Sequence, residues 1–312
     1  MDLDPKDRWP YQDIVSTYNQ SLHDAVNLIG QFIPAFLDPV AYEMALLALP
    51  HLGDYQYEIM EAARVSGIPL EVVTLLNIIY EVEAGCTSII SQDLQGRIFH
   101  SRNLDFNLAP TLRELVIDVQ FYKNGKILYY GTTFAGYFGI LTGMKPGYFS
   151  ITLNERDTGY IFENALEALL VPGTTASAFL IRTIFETETS YSTASDLLSV
   201  TSTPAPSYII LSGVHPNEGV VITRDREKAA DIWPLSSTAG NWFLVQTNDD
   251  HWLPPEDDRR QIAINGMKAC TQSLNATCIF HVLSTPDVLN DGTTYTTIMS
   301  AQSSYYSTTV RN

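Results

Sequence analysis

The hydrophobic pattern of this chain changes character at Cys86. Before that residue apolar side chains recur at helical spacing; after it, short alternating runs bounded by turn residues take over. Residues 14–37 carry Leu22, Ala25, Val26, Ile29 and Ile33 in such a pattern, punctuated by Pro34 and Pro39. Residues 54–66, closed by Gly67 and Pro69, and residues 70–83, with Leu75, Leu76, Ile79 and Tyr80, complete three predicted helices. Strands are predicted at 87–91, 97–101, 115–123 and 126–133, the last two joined by Asn124-Gly125, a two-residue hairpin signal. A second hairpin joins 139–144 to 148–154 across Lys145-Pro146-Gly147. Helical patterns return at 161–170, 176–186 and 193–200, strands at 208–212, 220–223 and 242–246, and a helix at 258–272. Strands at 294–301 and 305–311 end the chain. Hairpin-linked strands build antiparallel sheets, so two batches of strands around a block of helices imply an α+β layered fold.

The sequence is 312 residues long and 45% hydrophobic, enough for one large core. Its formal net charge of −17, with no basic patch, excludes nucleic acid as a partner. Acidic pH would ease that self-repulsion. No apolar run reaches the roughly 18 residues of a membrane span. The opening Met1-Asp2-Leu3-Asp4-Pro5 has no apolar signal core, so the chain reads as cytosolic or as a mature form whose signal has been removed. In the second case the triplets at Asn19 and Asn275 are glycan acceptors. Three cysteines exclude a disulfide framework; Cys270 and Cys278 either pair across a short loop or stay as two thiols.

Phosphate-binding glycine loops, G-x-S-x-G and H-E-x-x-H are absent, and the six histidines lack metal-ligand spacing, so no metal or cofactor is implied. What remains is Gly85-Cys86-Thr87-Ser88 followed by Arg102-Asn103-Leu104-Asp105. If the strands beginning at Cys86 and Arg97 form a hairpin, Arg102 and Asp105 return beside Cys86. A neighbouring cation favours the thiolate, and a carboxylate beside an α-amine orients it. Those are the parts of an N-terminal nucleophile. A thiol redox protein would need C-x-x-C, which is missing.

Cys86-Thr87-Ser88-Ile89 with Arg102-Asn103-Leu104-Asp105 resembles the acid ceramidase and N-acylethanolamine-hydrolysing acid amidase family, N-terminal nucleophile hydrolases related to bile-salt hydrolase. The resemblance runs along nearly the whole chain: Leu3-Asp4-Pro5 with Arg8-Trp9, Gly136-Tyr137-Phe138-Gly139, Leu153-Asn154-Glu155-Arg156, Val221 to Arg226, Gln246-Thr247-Asn248, His251-Trp252 and Asp257-Asp258-Arg259-Arg260 match in order. It implies a four-layer αββα sandwich of antiparallel sheets. It also implies a precursor that cuts itself between Gly85 and Cys86 into a helical α-subunit, 1–85, and a catalytic β-subunit, 86–312, which stay together as a heterodimer.

By that resemblance Cys86 is the nucleophile of both self-cleavage and turnover, and its freed amine, with an ordinary pKa of about 8, shuttles the thiol's proton. Asp105 bonds the amine, Arg102 positions substrate and biases the charge, and Asn248 donates to the oxyanion, a contact worth about 3 kcal/mol in comparable sites. Glu155 and Arg259 shape the site and assist processing. The substrate is a lipid amide, a fatty ethanolamide or alternatively a ceramide, with Leu104, Phe106, Tyr137, Phe138 and Leu141 as candidate walls. Amphipathic segments within 41–80 are candidates for lipid-surface contact. The expected compartment is lysosomal or secreted, with a cytoplasmic location the alternative. The alternative of a different class is a non-catalytic lipid-binding protein that kept the fold.

Overall fold

A computed structural model describes residues 1–32, 38–79, 84–156 and 175–312. Four helices lead: α1 (Tyr11–Phe32), α2 (Asp38–Ala48), α3 (Tyr55–Ser66) and α4 (Leu70–Ile79). Strands β1 (Ala84–Gln92) and β2 (Ile98–Phe106) follow, then the short α5 (Ala109–Leu115) and strands β3 (Val116–Lys123), β4 (Lys126–Phe134), β5 (Thr142–Lys145) and β6 (Phe149–Glu155). Helices α6 (Ser177–Thr187) and α7 (Tyr191–Val200) precede β7 (Ser207–Ser212), β8 (Gly219–Arg224), β9 (Ala229–Pro234) and β10 (Phe243–Gln246). The chain closes with α8 (Arg259–Cys270), α9 (Ala276–Leu283), β11 (Thr293–Ser300) and β12 (Tyr305–Val310).

The strands form two antiparallel sheets, ordered β10-β1-β2-β11-β12 and β3-β4-β5-β6-β7-β8-β9. They meet face to face through a polar seam. Ser88 of β1 bonds Thr152 and Asn154 of β6 at 2.9 and 2.8 Å, and His100 of β2 bonds Ser150 and Thr152, both at 2.9 Å. On the outer face of the first sheet, Ala263, Met267, Ile279 and Val282 of α8 and α9 pack against Ile89, Val245 and Ile298. On the second, Phe185 of α6 stacks on Tyr129 and Phe149. Helix–sheet–sheet–helix layering follows, since each sheet must bury both faces. The N-terminal helices join the same core at one end, with Trp9 edge-on to Phe121 and Phe138 at 5.2 Å.

The β1–β2 hairpin required by the sequence argument is present, pairing Ser88 with Arg102, Cys86 with Leu104 and Gly85 with Asp105. Cys270 and Cys278 form a disulfide between α8 and α9, which settles the alternative left open by their spacing. Four elements were not anticipated: α2, which falls between the first two expected helices, and α5, α9 and β9. α5 and α9 span two turns or so, too short to show a helical period, and Asn275 caps α9 by accepting from the Cys278 amide at 2.9 Å. The edge strand β9 alternates exposed and half-buried residues and follows the charged turn 225–228. The helix expected at 161–170 lies outside the described residues, as do 33–37 and 80–83 at the ends of two other expected helices.

Candidate active site

Alternation along a strand sends successive side chains to opposite faces. On β1, Cys86, Ser88 and Ile90 face the second sheet, while Ile89 faces α8 and α9. On β2, His100 and Arg102 share the inter-sheet face, while Asn103 bonds main-chain carbonyls at Leu283 and Val288 beyond α9. The Gly85–Cys86 peptide is therefore approached from two sides.

From the inter-sheet side, the fully buried Arg102 donates from Nη2 to Cys86 Sγ at 2.6 Å. Its Nη1 donates to the Leu141 carbonyl at 3.1 Å and to Thr142 Oγ1 at 3.2 Å, and Thr142 Oγ1 also bonds Tyr295 Oη at 2.9 Å. Nε has no hydrogen-bond partner among the described residues. Burial pushes the Cys86 thiol up to about 11, against the downward pull of Arg102. In the intact chain Cys86 is thus a protonated thiol with a cation already in place for its anion.

From the helix side come Arg259, at the head of α8, and Asp105. Arg259 Nη1 donates to the Cys86 carbonyl at 3.2 Å and to Asp105 Oδ2 at 3.4 Å; Nη2 donates to Asn248 Oδ1 at 3.1 Å; Nε pairs with Asp257 at 2.7 Å. Asn248, two residues past β10, accepts the Cys86 amide N–H on Oδ1 at 2.8 Å and donates from Nδ2 to the Glu155 carbonyl at 2.9 Å. A Cβ built on Gly85 would stand 3.5 Å from the Asp105 Cβ, an ordinary van der Waals contact, so packing alone does not demand glycine there. Burial raises the Asp105 pKa, opposed by Thr293, Arg259 and Asn290.

Cys86, Arg102, Asp105, Asn248 and Arg259 are thus brought within one hydrogen-bonded cluster, and Glu155 joins through its main-chain carbonyl. In the intact chain the Asn248 amide group is occupied by Glu155, and it is the amide oxygen that faces the Gly85–Cys86 link. Of the candidate wall residues, Tyr137 and Phe138 line an apolar cleft partly open to solvent. It lies between the N-terminal helices (Tyr11, Leu22, Ala62, Val73) and the body of the fold (Leu112, Phe134). Leu104, Phe106 and Leu141 are buried outside its lining, and Leu141 serves instead as a carbonyl acceptor for Arg102. Sequence reasoning did not single out Thr142, Tyr295 or Asn290; each lies on a strand or loop that reaches the site only through sheet pairing. Asn19 is exposed on α1, and Asn275 is exposed while acting as the α9 cap.

Comparison with known proteins decides the lineage. The sequence profile of the linear amide C–N hydrolases, choloylglycine hydrolase family, matches residues 86–268. The chain belongs to the choloylglycine hydrolase family. As a member it is an amide hydrolase, and the matched segment begins at Cys86. Among its relatives, the N-acylethanolamine-hydrolyzing acid amidase of Oryctolagus cuniculus is 47% identical over 242 residues, 76% of this chain and 67% of that protein. The Cavia porcellus enzyme of the same name is 38% identical over all of this chain and 89% of its own length. The acid ceramidase of Homo sapiens is 35% identical over all of this chain and 85% of its own length. A solved Caenorhabditis elegans N-acylethanolamine-hydrolyzing acid amidase ortholog superposes with a TM-score of 0.67 at 38% identity, covering 73% of this chain and 100% of that one. The choloylglycine hydrolase fold of paired antiparallel sheets between helices is therefore shared.

Proposed function

We propose that this hydrolase cuts its own Gly85–Cys86 bond and then uses Cys86 to hydrolyse fatty-acid ethanolamides. The observation that carries this reading is Arg102 Nη2 on Cys86 Sγ at 2.6 Å, next to a peptide whose amide is held by Asn248 and whose following carbonyl is held by Arg259. In the first reaction Sγ bonds to the Gly85 carbonyl carbon, the C–N bond to Cys86 breaks, and the thiol's proton ends on the departing nitrogen. Water then splits the thioester, leaving a carboxylate on Gly85. Residues 1–85 become an α-subunit and 86–312 a catalytic β-subunit, held together as a heterodimer.

In turnover the free amine of Cys86 takes the thiol's proton, and Arg102 stabilises the thiolate. Sulfur attacks the substrate carbonyl, ethanolamine leaves with a proton, and water releases the fatty acid. Asp105 and Asn248 hold the amine, and Arg259 keeps both in place. The acyl chain lies in the apolar cleft lined by Tyr137 and Phe138, whose wall comes from both sides of the cut. Exposed Val40, Leu46 and Leu47 of α2, with Tyr57 and Met60 of α3, suit contact with a lipid surface. A lysosomal setting and glycans on Asn19 and Asn275 fit the acidic chain. Ethanolamides are proposed over ceramide because amidase relatives reach 47% identity over three-quarters of this chain and 38% over all of it, against 35% over all of it for the human ceramidase.

The test is to incubate the purified chain at acidic pH, sequence the fragments, and assay palmitoylethanolamide against ceramide. A new N-terminus at Cys86 with faster ethanolamide hydrolysis is expected. Turnover by a single uncut polypeptide would overturn the mechanism, and faster ceramide hydrolysis would overturn the substrate.

A further inference from the structure

We propose that Asn290 is a positioning residue that holds the Asp105 carboxylate in register with Cys86. The inference rests on the reading of Cys86 as an N-terminal nucleophile served by Asp105. Asn290 lies just before β11, 185 positions from Asp105 in sequence, and donates from Nδ2 to Asp105 Oδ2 at 3.1 Å. Its Oδ1 accepts the Gly292 amide at 2.9 Å, and its own N–H donates to Thr293 Oγ1 at 3.1 Å. The Phe106 amide, next to Asp105, donates to the Gly292 carbonyl at 2.8 Å. A Cβ on Gly292 would meet Asn290 Oδ1 at 3.0 Å and the Phe106 carbonyl at 3.3 Å, so a side chain there would crowd both groups by a few tenths of an ångström. Arg113 of α5 ties it from outside, donating to the Asp291 and Thr293 carbonyls at 2.7 and 2.8 Å.

The register of β11 against β2 shifts between Thr293 and Tyr295, opposite Asp105 and Leu104. Such an irregularity re-aims the residues beside it, and here it brings the loop to the carboxylate. An amide at position 290 supplies a donor to Asp105 and an acceptor to Gly292 together; alanine supplies neither and aspartate repels the carboxylate. Arg259 also reaches Oδ2, but it is shared with the Cys86 carbonyl, Asn248 and Asp257. With Oδ2 gripped twice, Oδ1 stays buried with no hydrogen-bond partner among the described residues. The charged and titratable groups facing Asp105 are Cys86 on β1, Arg102 on its own strand and Arg259 on α8.

The experiment uses the full chain and two variants, Asn290→Ala and the near-isosteric Asn290→Asp. Ethanolamide hydrolysis by the cleaved chain and iodoacetamide labelling of its Cys86 are followed against pH, with melting temperature as the folding control. Asp105 must be ionised to hold the ammonium group, so a less supported carboxylate moves the acidic limb to higher pH. Losing one donor should move it by about one pH unit in Asn290→Ala. Asn290→Asp should move it further, because two carboxylates then share the site. Acidic limbs unchanged in the folded variants, whatever their melting temperatures, would overturn the inference and leave the proposed function standing. A wild-type chain that is neither cut nor labelled at Cys86 would overturn both.

Discussion

Two fully buried arginines, Arg182 and Arg102, show how one side chain does opposite work at two places in the fold. Arg182 of α6 is saturated. It meets both oxygens of Glu58 at 2.6 and 2.8 Å, Glu186 at 3.0 Å and the Phe138 carbonyl at 2.9 Å, with Tyr55 and Phe121 rings 4.5 and 4.9 Å from its guanidinium. Glu58 is itself bonded by Trp9 and Arg8, so the cluster ties α3 and the N-terminal residues to α6 and the cleft wall. Carboxylates hold the Arg182 pKa well above its usual value. Arg102 has no carboxylate hydrogen-bonded to it among the described residues; it faces a carbonyl, a hydroxyl and a neutral thiol. Among the groups it bonds directly, a counter-charge appears only when the sulfur becomes an anion. A buried cation already neutralised holds structure together, whereas one awaiting its counter-charge favours the reactive state of its neighbour.

The contrast can be broken or sharpened by substitution. Cys86→Ala should abolish both cutting and turnover while leaving a folded chain, read as one uncut band, no released fatty acid and a cooperative melt. Glu58→Gln should do the reverse. Removing one of the two carboxylates on Arg182 should cost about 3–5 kcal/mol in denaturant unfolding, while Cys86 labelling of the molecules that remain folded stays as in the wild type. His100, in the inter-sheet layer with Arg102, tests whether that layer tolerates a second charge. Burial lowers its pKa from 6.5 to about 3. The unfolded chain therefore takes up the proton first, so stability is intact above pH 6.5 and falls as pH drops toward 3. Two pH units should cost about 2.7 kcal/mol, a slope that His100→Gln should flatten in urea titrations at successive pH values.

Arg102→Met should raise the thiol pKa further, and iodoacetamide labelling at a fixed pH should slow about tenfold for every pH unit by which it rises. An unchanged labelling rate would remove the distinction between the two arginines. The smallest effect is expected from Tyr295→Phe, which deletes the hydroxyl on Thr142 behind Arg102. The loss of about 1 kcal/mol should appear as a modest fall in cleavage rate, measured by timed gel samples.

Much of this was legible along the chain. The change of period at Cys86 marked where helices give way to sheet, and Asn124-Gly125 and Lys145-Pro146-Gly147 located two hairpins, all local signals. The β1–β2 hairpin was legible too, because strand period and loop length together put Arg102 near Cys86. The fastening of Trp9 and Arg8 to Glu58 was not, since nothing in a helical pattern says which buried glutamate will meet which arginine.

The sequence by itself determined the elements around Cys86, the pairing of its strand with the strand bearing Arg102, and the lineage, because each depends on residues close in the chain or on an ordered string of motifs. Tertiary structure alone decided that Arg102 and Asp105 reach the Gly85–Cys86 peptide from opposite faces of a sheet. It also decided that Asn248 presents its oxygen to that peptide and that Asn290 closes on Asp105. Those contacts span up to 185 positions, and strand register and helix docking, which fix them, are set by how whole faces bury against one another rather than by any local run of residues.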